Sequence, residues 1–462
     1  MAGVPGADLK KRVAIVGFMG AGKSTAAREL GGTDADDLVE SAAGRPIAEI
    51  FREQGEAAFR ALEEQTVVLA LGGGAVTSPA VRAALGDTLT IWLDVDVDTC
   101  WERVRGSDRP LAQDEAAFRR LYEERRALYA DVADVVATDI HDVVLAVAGV
   151  HVERGALQRL GELVPGDGPV ALVSDPNVAG IHGMDAQLAL GSRLAETHEL
   201  PAGEEAKALT AVDRLWQELR LDRSGTIVAL GGGCTTDAAG FAAATYLRGI
   251  AWAPVPTSLV AQVDAAIGGK TGIDLPQGKN LVGAFHWPAR TVIDPALLET
   301  LPEPQRLEGM AEVVKTGLLA GEPLWEFPDD ELVRRCAAFK AAICLRDPEE
   351  RGGERAILNL GHTFAHALEA AAGYEGLTHG RAVALGLLAA LRLSGRDTRV
   401  VEEVLRPQPV RVNRERAWEA MKRDKKARGG VPRFVLLSDD GPVSGVEVPE
   451  EDARRELDRL IA

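Results

Sequence analysis

The chain has 462 residues, 46% of them hydrophobic and 26% charged, and a formal net charge of −18; that length predicts two or three domains of roughly 150 residues. The acidic balance argues against nucleic acid and anionic membranes as partners, so an anionic small-molecule substrate would need a local basic pocket. Four cysteines without a CxxC pair argue against a disulfide framework and cysteine-ligated zinc, and with no apolar run near the ~18 residues of a membrane span and no apolar stretch in MAGVPGADLKKR the expectation is a cytoplasmic protein.

Residues 12–16 (RVAIV) read as a buried strand, followed by the glycine-rich run GFMGAGKST (17–25) and a helix over 23–30. LTIWL (89–93) reads as another strand, and 114–130 as an amphipathic helix carrying Arg119, Arg120, Arg125 and Arg126. A second α/β pattern begins near residue 150. GPVALVSD (168–175) and GTIVALGGG (225–233) predict buried parallel strands with helices between them. After about residue 298 the strand signal fades, and helical stretches follow at 305–321, 329–346, 355–372 and 380–395. The expected fold is α/β: a P-loop parallel sheet over 1–149, a Rossmann-like subdomain over 150–298 and a mostly helical metal-binding subdomain over 299–462.

Gly17, Gly20, Gly22, Lys23, Ser24 and Thr25 form a phosphate loop in the required strand–loop–helix context. Backbone N–H groups would converge on the phosphates of ATP, with Lys23 neutralising them and Ser24 ligating Mg²⁺. Asp34, Asp36 and Asp37 follow, then Phe59-Arg60, Leu71-Gly72-Gly73-Gly74, Arg109-Pro110-Leu111 and Arg125-Arg126-x-Leu-Tyr129. In this order the motifs resemble shikimate kinase over residues 11–148. The resemblance implies Asp34 near Mg²⁺, Asp36 on substrate hydroxyls, Arg60 and Arg125 on the carboxylate, Gly72, Gly73 and Gly74 lining the pocket, and Arg109 in a lid over ATP. Only AARELGGT separates Thr25 from Asp34, shorter than in that family. A helix over 23–30 climbs about 12 Å, which three further residues recover only in part at ~3.3 Å each. Asp34 therefore reaches the loop only if the helix is cut short.

The run NLGHTFAHALEAAAGYEGLTHG (359–380) holds three of eight histidines. His362 and His366, at i and i+4, share a helix face, and His379 follows. Two imidazoles and a carboxylate suit a catalytic metal, with Glu312 of MAEVVKTG as the candidate acid; unrelated core or surface histidines are the alternative. Lys270, Lys279 and Lys315 lie among small and apolar residues, unlike a solvated face. With Arg248 and Arg355 they suggest a substrate carrying phosphate and carboxylate. Gly231-Gly232-Gly233 after a strand, with Asp237 beyond, offers a diphosphate site or a structural glycine turn.

The runs DPNVA (175–179), PAGEEAK (201–207), GGGCTTDAAGFAAATYLRG (231–249), PTSLVAQVDAAIGGKTGID (256–274), KNLVGAFH (279–286), GMAEVVKTG (309–317), LNLGHTFAHALE (358–369) and THG (378–380) resemble 3-dehydroquinate synthase over about 151–440. The resemblance implies a homodimer, with NAD reduced and reoxidised within each turnover. It implies Zn²⁺ (or Co²⁺) on Glu312, His362 and His379, with His366 a nearby non-ligand acting on substrate or proton. NAD would meet Asp175, Asn177, Glu204, Lys207, Gly232, Gly233, Asp237, Thr257 and Thr300. Substrate would meet Asp264, Lys270, Lys279, Asn280, Lys315, Lys340, Arg248, Arg355 and Asn359, with Lys425 or Lys426. This chain departs from the family pattern at Ala365 and Arg381, and an acid expected four residues before Arg355 is displaced to Glu350. Two other readings stand beside a bifunctional enzyme: a synthase with a non-catalytic kinase-like module, and a metal- and NAD-dependent polyol dehydrogenase, which would release NADH.

Overall fold

The computed structural model describes residues 12–34, 68–107, 109–373, 376–423 and 430–462. Asp36, Asp37, Arg60, Lys425 and Lys426 lie outside these residues. The chain divides into two compact units, Ala7–Val150 and His151–Ala462. No helix of the described residues is long and apolar enough to cross a membrane.

The first unit holds a parallel five-stranded sheet: β1 Val13–Val16, β2 Thr33–Asp34, β3 Val68–Ala70, β4 Leu89–Leu93 and β5 Val135–Ala137, in the order β2-β3-β1-β4-β5. All four residues of β1 are buried, as expected of a central strand covered on both faces. Helix α1 (Lys23–Glu29) follows the phosphate loop and stops after two turns. Its end is a Schellman cap: Gly31, at φ +70°, donates to the Arg28 carbonyl (3.0 Å), and Gly32 donates to the Ala27 carbonyl (2.7 Å). The chain then turns straight into β2, which pairs with β3 as Thr33↔Leu69 and Asp34↔Ala70. The short spacing is thus met by a short helix. Gly32 makes the turn possible, because a Cβ there would lie 2.5 Å from the Val68 carbonyl oxygen. Gly32→Ala is expected to cost about 1–3 kcal/mol through that overlap. Denaturant melts measure it, and an unchanged midpoint would refute the close approach.

The second unit begins with another parallel sheet: β6 Val170–Ser174, β7 Leu194–Glu199, β8 Thr226–Gly231 and β9 Ala251–Pro256, ordered β9-β8-β6-β7. The chain leaves β6 toward β7, then returns to add β8 on the other side. This reversal makes the crevice at the carboxyl ends of β6 and β8 the topological switch point, where open α/β sheets bind ligands. Helix α2 (Gly233–Thr245) starts there. A hairpin of β10 (Lys270–Leu275) and β11 (Gly278–Phe285) follows, carrying Lys270, Lys279 and Asn280.

The helical half contains α3 (Glu303–Ala320), α4 (Asp329–Arg346), α5 (His362–Ala371) and α6 (His379–Leu393). The helix expected over 355–372 is broken. Glu354–Asn359 is a 3₁₀ turn, and Gly361 turns left-handed (φ +78°) before α5 starts. The break lets α5 lie against α6: a Cβ on Gly361 would stand 2.8 Å from Leu387 N, and one on Gly386 2.1 Å from the Gly361 carbonyl oxygen. That contact sets the spacing between the helices that begin with His362 and His379. The fading strand signal also missed a hairpin, β12 (Phe434–Ser438) with β13 (Gly441–Val446), joined by Asp439-Asp440.

Candidate active sites

In the first unit the loop glycines Gly17, Gly20 and Gly22 all have positive φ. Lys23 is buried and its Nζ donates to the Phe18 carbonyl at 2.9 Å. Gly20, Gly22, Lys23, Ser24, Thr25 and Arg109 line one cleft of about 300 Å³ with Arg103. Arg103 donates to the Gly20 and Ala21 carbonyls at 3.1 and 3.0 Å, a role the sequence reading missed. Ser24 Oγ donates to the Asp34 carboxylate, so the short α1 and β2 bring the first aspartate back to the loop. Gly73 follows β3, and its carbonyl accepts from Arg125 (3.0 Å) and Tyr129 (2.6 Å). Arg125 Nε is buried with no hydrogen-bond partner among the described residues. A carboxylate acceptor fits it.

In the second unit Glu312 is fully buried on α3. It faces Lys315 one turn on, and its Oε1 lies 3.6 Å from His362 Nε2 and 3.3 Å from His379 Nε2. One donor atom from each of Glu312, His362 and His379 falls within 4.8 Å of the others. The edges of a tetrahedron with ~2.1 Å bonds are about 3.4 Å, so this donor set fits a divalent cation. Neither Glu312 oxygen makes a hydrogen bond of ordinary geometry, which leaves lone pairs for a cation. Burial alone would raise the Glu312 pKa, but Lys315 and the two imidazoles hold it well below the usual range. Burial, reinforced by Lys315, holds His362 well below its ordinary value and so neutral, as ligation requires. Burial would also lower His379, yet the Glu312 and Glu369 carboxylates beside it push it up to about 10, so a cation binding there would displace the Nε2 proton.

Glu312 joins this donor set to a charge network. Lys315 Nζ lies 3.7 Å from Asp264 Oδ2, and Lys340 donates to the Asp264 carboxylate and, at 2.6 Å, to its carbonyl. Lys270 pairs with Glu350 at 2.5 Å, so the displaced acid does face a candidate lysine. The Arg355 guanidinium is buried, and its partners are the Gly268 (3.1 Å) and Pro348 (2.9 Å) carbonyls. No carboxylate pairs with it among the described residues. A buried cation without a counter-charge calls for an anionic ligand. His366 is exposed, its ring 5.6 Å from that of His362. Asn359 donates to the Ala356 carbonyl.

The candidate dinucleotide residues gather at the switch point and beside it. Asp175 caps the turn after β6 by accepting from the Asn177 and Val178 N–H groups, and it also accepts from Thr235. Gly232 and Gly233 open α2 without a side-chain cap, and Thr257 N bonds the Gly231 carbonyl. Lys207 is buried, donating to Asp237 (2.8 Å) and Asn280, with Glu204 and Asp274 each 3.9 Å away. Glu204 also pairs with Lys279 at 3.0 Å. Thr300 Oγ1 lies 2.8 Å from His182 Nε2. Arg248 is not brought into either group: it is exposed at φ +67°, without a side-chain partner among the described residues. The sequence reading also passed over Glu369, buried beside His379. Its signal was a lone acid in AHALEAA, seven residues after His362 and on the same helix face.

Three family models match the chain: "Shikimate kinase" over residues 19–153, "3-dehydroquinate synthase N-terminal" over 197–308 and "3-dehydroquinate synthase C-terminal" over 309–427. The 3-dehydroquinate synthase of Gloeobacter violaceus is 46% identical over 345 residues, covering 67% of this chain and 95% of the relative. That of Bordetella pertussis is 38% identical over 343 residues, with the same coverage. The crystal structure of 2-deoxy-scyllo-inosose synthase complexed with carbaglucose-6-phosphate, NAD+ and Co2+ is 26% identical, with a TM-score of 0.60, covering 67% of this chain and 96% of that one.

Proposed function

This chain belongs to the 3-dehydroquinate synthase family and carries a shikimate kinase segment ahead of it, and from that premise we propose a bifunctional shikimate-pathway enzyme. The second unit converts 3-deoxy-D-arabino-heptulosonate 7-phosphate to 3-dehydroquinate and phosphate. The first unit transfers the γ-phosphoryl group of ATP to shikimate, with Mg²⁺. A homodimer and a cytoplasmic site of action accompany this reading.

The observation that carries the synthase reading is the double role of Glu312, which belongs both to the His362–His379 donor set and to the Lys315–Asp264–Lys340 network. Glu312, His362 and His379 would hold Zn²⁺ or Co²⁺, and the crevice at β6 and β8 would hold NAD. Bound there, the metal supplies Lewis acidity and NAD a reversible hydride acceptor. The rest falls to the side chains. Lys315 and Lys340 share Asp264, and Lys315, kept as an ammonium by Glu312 and Asp264, would stabilise negative charge developing on a substrate oxygen. Arg355, Lys270 and Asn359 would hold the anionic groups of the substrate, fixing its orientation. His366, exposed beside His362, would exchange a proton with solvent.

Phosphate release from the seven-carbon substrate tests this. We expect turnover without net NADH, loss of turnover on chelation and recovery with added Zn²⁺ or Co²⁺. Full activity in metal-free protein would overturn the metal assignment, and NADH accumulating from a simple polyol would favour a dehydrogenase.

A further inference from the structure

Each imidazole of the donor set turns Nε2 toward Glu312, and something must hold the other nitrogen. In His362 the holder is neutral: Nδ1 lies 3.1 Å from the Leu360 carbonyl. In His379 it is a carboxylate: Nδ1 lies 3.4 Å from Glu369 Oε1. Glu369 is buried on α5, two turns beyond His362, so one helix supplies a ligand and the support for the ligand on the next.

The backbone around His379 is fixed separately. Glu308, one turn before Glu312 on α3, accepts from the Thr378 hydroxyl and from the Gly380 N–H at 2.6 Å. A Cβ on Gly380 would lie 2.5 Å from the Glu308 backbone. With both neighbours of His379 pinned, what stays open is which way its ring faces and which nitrogen carries the proton. Resting on the metal reading above, we propose that Glu369 is a positioning residue that decides both, holding the proton on Nδ1 and the Nε2 lone pair toward the cation. A charged acceptor raises the basicity of the imidazole more than a carbonyl does, so Glu369 sets affinity where Leu360 sets only orientation.

The test is Co²⁺ and Zn²⁺ affinity of the full chain, stripped with chelator and titrated against a chromophoric competitor. Glu369→Gln keeps shape and loses charge. We expect it to weaken metal binding by about 10–100-fold, with Glu369→Asp intermediate, while the melting midpoint of the stripped protein stays near the parent's. A purely packing role would move that midpoint and spare the affinity. Binding within twofold of the parent in Glu369→Gln would overturn the proposal. If the parent bound no stoichiometric metal, or His362→Ala bound it equally well, the metal reading would fail and this proposal with it. Should Glu369→Gln fail to fold, NMR of the Co²⁺-loaded parent decides. Two exchangeable, hyperfine-shifted imidazole N–H signals support the assignment, and one alone overturns it.

Discussion

Glu312→Gln is expected to lower phosphate release by the second unit at least ~10²-fold and to abolish tight Co²⁺ binding. The amide matches the carboxylate in shape, so the effect comes from charge. Glu312 is fully buried, with Lys315, His362 and His379 as its neighbours. Without it the donor set is two neutral nitrogens and an amide oxygen, a weak site for a divalent cation. Lys315 would then keep Asp264, at 3.7 Å, as its remaining counter-charge. Removing one partner of a buried pair commonly costs ~3–5 kcal/mol, and Asp264 should hold the loss near the lower end. Circular dichroism separates folding from chemistry. A folded Gln variant that turns over within tenfold of the parent would refute the central place given to Glu312.

Local chemistry was legible in the sequence because it is written in short runs. A strand, six loop residues and a lysine suffice for a phosphate site, and GHTFAHALE with THG holds three histidines, of which the family resemblance implies His362 and His379 as ligands. What was not legible depends on how helices approach one another. Glu369 gains its role only because the Gly361 and Gly386 backbones touch, which brings α5 against α6. Helical periodicity ran unbroken through 355–372, yet Gly361 stops it, since tertiary packing outweighs a propensity signal of a few tenths of a kcal/mol per residue. The hairpin β12–β13 lay in a segment of weak alternation, where its Asp439-Asp440-Gly441 turn was the better clue. Asp34 shows the reverse case. Chain length alone demanded a short helix, and the Gly31-Gly32 cap supplies the means.

The same geometry yields the second large effect, in the first unit. Purified full chain with ATP and Mg²⁺ is expected to release ADP when shikimate is added, and Lys23→Ala to lose this by ~10²–10³-fold, the usual scale for a group that stabilises developing charge. The eight residues between Thr25 and Asp34 bring Asp34 back to the loop only behind a short helix. In the structure α1 ends at Glu29, β2 pairs with β3, and Ser24 donates to Asp34. The two residues that would share the Mg²⁺ are therefore together, and Ser24 lines a cleft with Lys23 and Arg109. Arg125, held beside the Gly72–Gly74 turn by the Gly73 carbonyl, would meet the shikimate carboxylate in this reading. Asp34→Asn separates the two halves of this account. If Asp34 acts through Mg²⁺, the variant should keep nucleotide binding and lose turnover, and the loss should ease as Mg²⁺ is raised. Shikimate-independent ADP release, equal in the parent and in Lys23→Ala, would instead mean that this unit keeps the architecture of a kinase without its reaction. The shikimate-pathway chemistry of the chain would then rest with the second unit alone.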